Sequence, residues 1–527
     1  MADNKDIDKA YSNTATSAHH PIPMDGTKRI LLTISIMVTT VMQTLDNTVA
    51  NVALPQMKGT LSATQDQMVW ILTTYIVAAA IMTPLTGWLA GHFGRKKVFM
   101  ISIIGFTISS ALCGMAVNLP EIVLFRLLQG MSGAALVPLS QAVLFDINKK
   151  ENYGKAMALW GMGVTLGPIL GPALGGWLTE TYNWRWVFYI NVPIGIAAFL
   201  GLWATMPETK KNASRFDFFG FIALSLTVGA LQLLLDRGQL KDWFGSNEII
   251  IYALTMSTAF YLFLVHTITY KNPFVNPALF KNRNFFAGNI LIFVVGIVMF
   301  AILALLPPML QNNMNYPVIT TGLITAPRGI GAMLGMIIVG QLTEKIDPRL
   351  LMGVGLGLTA FSLWQMTQFS LLMDERLIII SGILQGIGIG LTYVPLAALT
   401  FATLPAELRD EGTAFFNLLR NIGSAVGISV VQTLLTRNTQ ILHAQFSENI
   451  TPYNLNGLAQ STLHINPSNP AGLVILDGTL TNQVAMIAYI NDYKLIMIMT
   501  IAVIPLLLLF RRPAATAEKS TLTAAME

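Results

Sequence analysis

The chain has 527 residues, 53% hydrophobic and only 11% charged, with a net charge of +5 and a mean hydropathy of +0.59. Soluble domains carry about 25% charged residues, so a soluble globular protein is excluded. The lone cysteine, Cys113, excludes an intrachain disulfide and a cysteine-built metal site. Residues 1–29 are polar, lack a signal-peptide pattern and contain His19 and His20. From residue 30 onward, runs of about 20 apolar residues alternate with polar breaks, the pattern of membrane-spanning helices rather than a barrel. The runs lie near 30–54, 68–91, 98–117, 122–144, 155–178, 187–206, 217–236, 248–269, 285–310, 317–341, 350–372, 377–403, 412–436 and 490–510. The expected fold is an all-α polytopic membrane protein with fourteen transmembrane helices.

Basic residues orient these spans. With the N-terminus in the cytoplasm, the inner loops carry Arg95, Lys96, Lys97, Lys149, Lys150, Lys155, Lys210, Lys211, Arg215, Lys271, Lys281, Arg283, Lys345, Arg349 and Arg409. Arg511 and Arg512 open the C-terminal tail. The outer loops carry Lys58, Arg185, Arg237, Lys241, Arg376 and Arg437. Both termini are therefore expected in the cytoplasm, the tails being 1–29 and 513–527. One outer connection, 438–489, is long and rich in Asn, Gln, Ser, Thr and Pro, and reads as functional, disordered or a tolerated insertion.

Short patterns recur at an offset of about 255 residues. GWLAGHFGRKK (87–97) is echoed by GQLTEKIDPR (340–349), LLQGMSGAALVP (127–138) by ILQGIGIGLTYVP (383–395), and GKAMALWGMG (154–163) by GTAFFNLLRNIG (412–423). Each pair is eight spans apart. The arrangement reads as two six-helix halves, 30–206 and 284–512, separated by a linker (207–283) with two extra helices. Parallel six-helix halves with a site between them are a transporter plan.

Asp46 is a lone carboxylate in the otherwise uncharged run 30–55. Such a group costs roughly 2.5–3.5 kcal/mol at the centre of a bilayer, so it faces a cavity or a partner, or reaches the interface. Arg126 opens the fourth span, and its second-half counterpart is Gly382. It is a candidate partner for Asp46, with snorkelling to the surface as the alternative. In the fifth span Gly163, Gly167, Gly171 and Gly175 fall four apart and leave one face bare, which lets another helix approach. Pro168 and Pro172 each remove a backbone hydrogen bond and can bend that helix. The turn with Gly87, Gly94, Arg95 and Lys96 is basic and suits lipid headgroups. Asn47, Gln129, Arg328, Gln385, Asn417 and Arg420 are candidate cavity-lining polar residues. His266 is expected at the interface. No G-x-x-x-x-G-K-[ST] loop is present, so ATP is not the expected driver.

These motifs resemble the Major Facilitator Superfamily, specifically its fourteen-helix drug:proton antiporter branch of EmrB/QacA type. LDNTVANVALP (45–55) is similar to the first-helix motif, with Asp46 at the acidic position. GWLAGHFGRKK resembles the loop motif, RLLQG (126–130) the fourth-helix motif, GVTLGPILGPALGG (163–176) the antiporter motif and NWRWVFYINVPIG (183–195) the signature that follows it. One departure is that Gly91 and His92 stand where the loop motif has an acid and an arginine, which questions a charge relay there, while Glu344 has the acidic place in the second copy. The resemblance, closest to EmrB because of the long outer loop, implies proton-coupled multidrug efflux by alternating access. Asp46 would carry the proton, Arg126 would be its partner, and the helix-five glycines would let the halves rock. It also implies a bacterial inner membrane, surrounding lipid, a hydrophobic or amphipathic drug-like substrate, an EmrA-like periplasmic adaptor and a TolC-like outer-membrane channel. No cofactor beyond the proton gradient, no enzymatic activity and no nucleic-acid partner are expected. Two other readings stand beside it: a proton-coupled importer of a small metabolite, and a non-transporting membrane sensor or scaffold.

Overall fold

A computed structural model of the chain describes residues 24–149, 152–208, 216–343, 346–448 and 470–510. The described residues are 87% helical and contain no strand. The first half comprises α1 (Gly26–Thr60), α2 (Gln65–Met82, then Leu85–Phe93 after a 54° bend), α3 (Arg95–Met115), α4 (Leu119–Ile147), α5 (Tyr153–Thr181) and α6 (Trp186–Thr205). The linker holds α7 (Phe218–Arg237) and α8 (Asn247–Thr269). The second half comprises α9 (Arg283–Pro308), α10 (Val318–Leu342), α11 (Pro348–Met366), α12 (Glu375–Ala402), α13 (Arg409–Glu448) and α14 (Pro470–Val503). Twelve of these are long and apolar enough to span a membrane, and the bent α2 makes thirteen. The fourteenth, α11, is 19 residues long and packs between α12 and α14.

Local chemistry sets the helix ends. Asn118, Asp217, Asn282, Asp347 and Asp374 each accept a backbone N–H of the first turn of the helix they precede. Between α2 and α3 the chain turns at Gly94, whose φ of 93° suits a residue without Cβ.

Two expectations gain detail. The described parts of the outer connection 438–489 are helix, since α13 runs on to Glu448 and α14 starts at Pro470, and 449–469 lie outside the described residues. Polar composition there hides helical extensions of α13 and α14. His266, expected at the interface, has a partner. Its Nε2 lies 2.9 and 2.8 Å from the two carboxylate oxygens of Asp217, tying α8 to the start of α7. Residues 1–23, Lys150, Lys210, Lys211, Arg215, Glu344, Lys345, Arg511 and Arg512 lie outside the described residues, as does 513–527.

Candidate functional site

Asp46 lies at the centre of the first half and is 1% exposed. Its Oδ2 is 2.7 Å from Nη1 of Arg126, itself fully buried. Its Oδ1 accepts Gln129 Nε2 at 2.9 Å and Asn191 Nδ2 at 2.7 Å. Arg126 Nη1 also donates to Gln129 Oε1 at 2.8 Å, and its Nε donates to the Ile71 carbonyl at 3.2 Å. The Tyr75 ring lies 4.3 Å from the guanidinium carbon, a cation–π contact. Asn191 in turn meets Ser110 Oγ at 3.0 Å, and Ser110 donates to the Phe188 carbonyl at 2.9 Å. Five helices, α1, α2, α3, α4 and α6, thus converge on one ion pair. Gln129, Asn191 and the Ile71 carbonyl keep both charges satisfied where water does not reach, the condition under which a buried pair is tolerated.

Small residues make this convergence possible. A Cβ on Gly130 would collide with the Tyr75 carbonyl, so α4 touches the backbone of α2 beside Arg126. On α5 the glycine face meets α1: Gly163 faces Met37, Gly167 faces Thr44, Gly171 faces Thr48, and Gly175 faces Val49. Thr48 Oγ1 donates to the Gly167 carbonyl at 3.1 Å. Helix α5 runs through Pro168 without interruption, and the side chain of Pro172 lies outside the described residues.

A second polar cluster joins the halves at the Gly94 end. Arg95 bonds Asp146 at the end of α4, and its Nε donates to Asp410 Oδ2 at 2.7 Å at the start of α13. Arg409 Nη1 meets Asp146 Oδ1 at 2.9 Å. A Cβ on Gly87 would stand 2.8 Å from the Glu411 Cα, so the backbones of α2 and α13 touch. Gly91 carries no acid, and the carboxylates that meet Arg95 come from α4 and α13. Lys96 donates to the Trp203 carbonyl at 3.0 Å instead of joining the cluster.

The other candidate residues scatter. Gln129 braces Asp46 rather than lining a cavity, because it points into the bundle interior. Asn47 is exposed on α1, in line with Asn51 and Pro55 a turn apart. Asn417 crosses between the halves to Gln141 Oε1 at 2.9 Å. Arg420 Nη1 donates to Tyr393 Oη at 3.1 Å. Arg328 is 8% exposed inside the second half and donates to the Met299 carbonyl at 3.1 Å. Gln385 is fully buried and likewise lines no open cavity. Sequence reasoning missed Asn191, Tyr75 and Ser110. Asn191 was the readable one, as a lone amide in the apolar stretch VFYINVPIG.

The description of the Major Facilitator Superfamily matches residues 36–428. The chain belongs to the Major Facilitator Superfamily. Within it, the protein is 36% identical over 496 residues to the fatty acid resistance protein FarB of Neisseria gonorrhoeae, covering 93% of this chain and 98% of that protein. It is also 36% identical over 440 residues to the multidrug export protein EmrB of Escherichia coli K12, covering 83% and 86%. Two solved superfamily-fold structures superpose, at the level of fold alone. The human organic anion transporter MFSD10 gives a TM-score of 0.58 at 13% identity, covering 90% of this chain and all of that one. The proton:xylose symporter XylE gives 0.59 at 12% identity, covering 90% and 95%. This superfamily member is therefore a multi-pass membrane protein of a transporter family, with multidrug-efflux relatives.

Proposed function

We propose that this protein is a proton-coupled exporter of hydrophobic and amphipathic compounds, and the inner-membrane part of a tripartite pump. The observation that carries the reading is the buried Asp46–Arg126 pair with its Gln129 and Asn191 braces. As an anion, Asp46 is matched by one cation and two amide donors. Protonation removes the charge and leaves Arg126 a buried cation without a counter-ion. Breaking one partner of a buried pair costs about 3–5 kcal/mol. That energy is released only if the helices move to give Arg126 water or another acceptor, which ties proton binding to rearrangement. The Arg95–Asp146–Asp410–Arg409 cluster holds the halves together at one end, and the basic loops argue that this end is cytoplasmic. On this reading, closure at that end leaves substrate release to the opposite side. Export of drug-like compounds or fatty acids draws on the names of the EmrB and FarB relatives.

The tripartite reading is supported by helix length. At 1.5 Å per residue, the 40 residues of α13 extend about 60 Å, twice the hydrocarbon thickness of roughly 30 Å. Its far end and that of α14 meet through His443 and Asp477 at 3.0 Å. Leu473, Val474, Ile475 and Phe446 are exposed there, a surface suited to a periplasmic adaptor.

The test is transport in proteoliposomes with an imposed proton gradient. Asp46→Asn keeps the size of the side chain and removes its titration. It should abolish gradient-driven substrate movement, by roughly 100-fold or more, while leaving the protein folded. Unchanged gradient-driven transport by this variant rejects proton coupling through Asp46.

A further inference from the structure

The linker helix α7 touches the proton site from behind. Thr73 Oγ1 donates to a carboxylate oxygen of Asp236, the last residue but one of α7. Thr73 lies on α2 midway between two residues that grip Arg126. The Ile71 carbonyl accepts Arg126 Nε at 3.2 Å, and the Tyr75 ring lies 4.3 Å from the guanidinium carbon. At about 100° per residue, positions 71 and 75 share one face of α2 and position 73 is turned to the other. This turn is therefore held from both sides, by Arg126 within the bundle and by Asp236 from the linker.

Nothing local accounts for an acid at this place. The last turn of a helix carries partial negative charge, so α7 itself opposes a carboxylate there. Asp236 is half-buried, and the rest of α7 before it is uncharged. Its neighbours give it a firm base. The Leu235 carbonyl accepts Ser429 Oγ of α13 at 3.0 Å. The Arg237 guanidinium lies 4.7 Å from the centre of the Trp70 ring of α2, and its Nε is 2.7 Å from Glu248 Oε1 of α8. Three consecutive residues thus reach the second half, α2 and α8. Further down, a Cβ on Gly229 would stand 3.2 Å from Ile81, so α7 lies close along α2.

Close packing does not set this turn by itself. A mainly apolar groove of about 270 Å³ lies beside the bond, between α2, α4 and α7. It is lined in part by Trp70, Thr73, Thr74, Leu127, Met131 and Leu233. Leu127 is the residue next to Arg126. Side chains that border a void have contacts on one side only. A directional bond from Thr73 to Asp236 is what restrains the outer face of the turn.

We propose that Asp236 is a positioning residue for the proton site, setting through Thr73 the turn of α2 that offers the Ile71 carbonyl and the Tyr75 ring to Arg126. The proposal rests on the proton-coupled reading and gives the linker pair a part in it. Those two contacts hold Arg126 whether or not Asp46 is charged. With the turn displaced, Arg126 depends more on the Asp46 anion, and protonating Asp46 becomes harder. Among the described residues the titratable groups facing Asp46 are Arg126 of α4, Tyr75 of α2 and Cys113 of α3, and all three stay intact in the variants that follow.

Infrared difference spectroscopy tests this without substrate or gradient. Full-length protein in lipid nanodiscs is taken through a pH series, and the carboxylic-acid band of Asp46 is isolated by subtracting the spectrum of Asp46→Asn. Thr73→Val and Asp236→Ala should each lower the pH of half-maximal band by about 0.5–1 unit. Asp236→Asn removes the charge but keeps an amide oxygen for the Thr73 hydroxyl, so it should keep the wild-type midpoint. A purely structural brace would lower the thermal midpoint and leave the titration in place. An unshifted titration in both Thr73→Val and Asp236→Ala therefore overturns the proposal. An equal shift in Asp236→Asn and Asp236→Ala also overturns it, because the charge and not the bond would then act. A wild-type band that does not titrate overturns the proton reading, and this proposal with it.

Discussion

At the residue scale the protein turns on how one carboxylate is satisfied. Asp46 accepts from Arg126, Gln129 and Asn191, and each donor comes from a side chain that is fully buried. Asn191 is the least replaceable brace, since it also links Asp46 to Ser110 on α3. A hydrogen bond to a charged group contributes about 1.5–3 kcal/mol. Asn191→Ala should therefore destabilise the protein by about 2 kcal/mol and weaken transport, read as a lower thermal midpoint in detergent and a slower proteoliposome rate. Asn191→Asp should be worse, because it sets a second carboxylate against Asp46. A wild-type midpoint and rate in both variants would remove Asn191 from the site.

At the element scale the contact between α1 and α5 decides whether Asp46 can be placed at all. Helices in a membrane associate by close packing and backbone approach, without a hydrophobic drive between them. Gly167 lies where any Cβ would collide with Thr44, two residues from Asp46 on the same helix. Gly176, nine residues on, has nothing within 4 Å of its would-be Cβ. Gly167→Val should push α1 from α5 and cut transport at least roughly tenfold, with membrane insertion retained. Gly176→Ala, on the same helix, should stay within about 0.5 kcal/mol of wild type. Equal behaviour of the two variants would show that the packed face does not matter.

At the scale of the whole molecule, two devices act at opposite ends. The Arg95–Asp146–Asp410–Arg409 cluster closes the halves at the Gly94 end, with Gly87 letting α2 and α13 touch. At the far end the α13 and α14 extensions expose Leu473, Val474 and Ile475, with Val474 72% exposed. On the proposed tripartite reading, a charge on that surface should break adaptor docking and nothing else. Val474→Asp should lower co-purification of a periplasmic adaptor about tenfold, while transport by the chain alone in proteoliposomes stays at the wild-type rate. Undiminished co-purification would remove this surface from the proposed docking site.

Sequence alone determined the fold class of this protein. Apolar runs, the echo of LLQG in ILQG and the motif around Asp46 are one-dimensional signals, because a membrane demands about 20 apolar residues per crossing wherever the helix lies. The glycines of α5 were legible for the same reason, a four-residue spacing that puts them on one face. What only the tertiary structure decided is which polar groups meet. Asp46 and Arg126 are 80 residues apart, Asp46 and Asn191 145, and Arg95 and Asp410 315, distances along the chain that no local pattern reports. The same holds for absences: Arg328 and Arg420 read like Arg126 in the sequence, each a cation in an apolar helix. Packing gives Arg126 a carboxylate and gives the other two only neutral acceptors, because a charge's partner is set by which helix faces it, and that is a property of the fold.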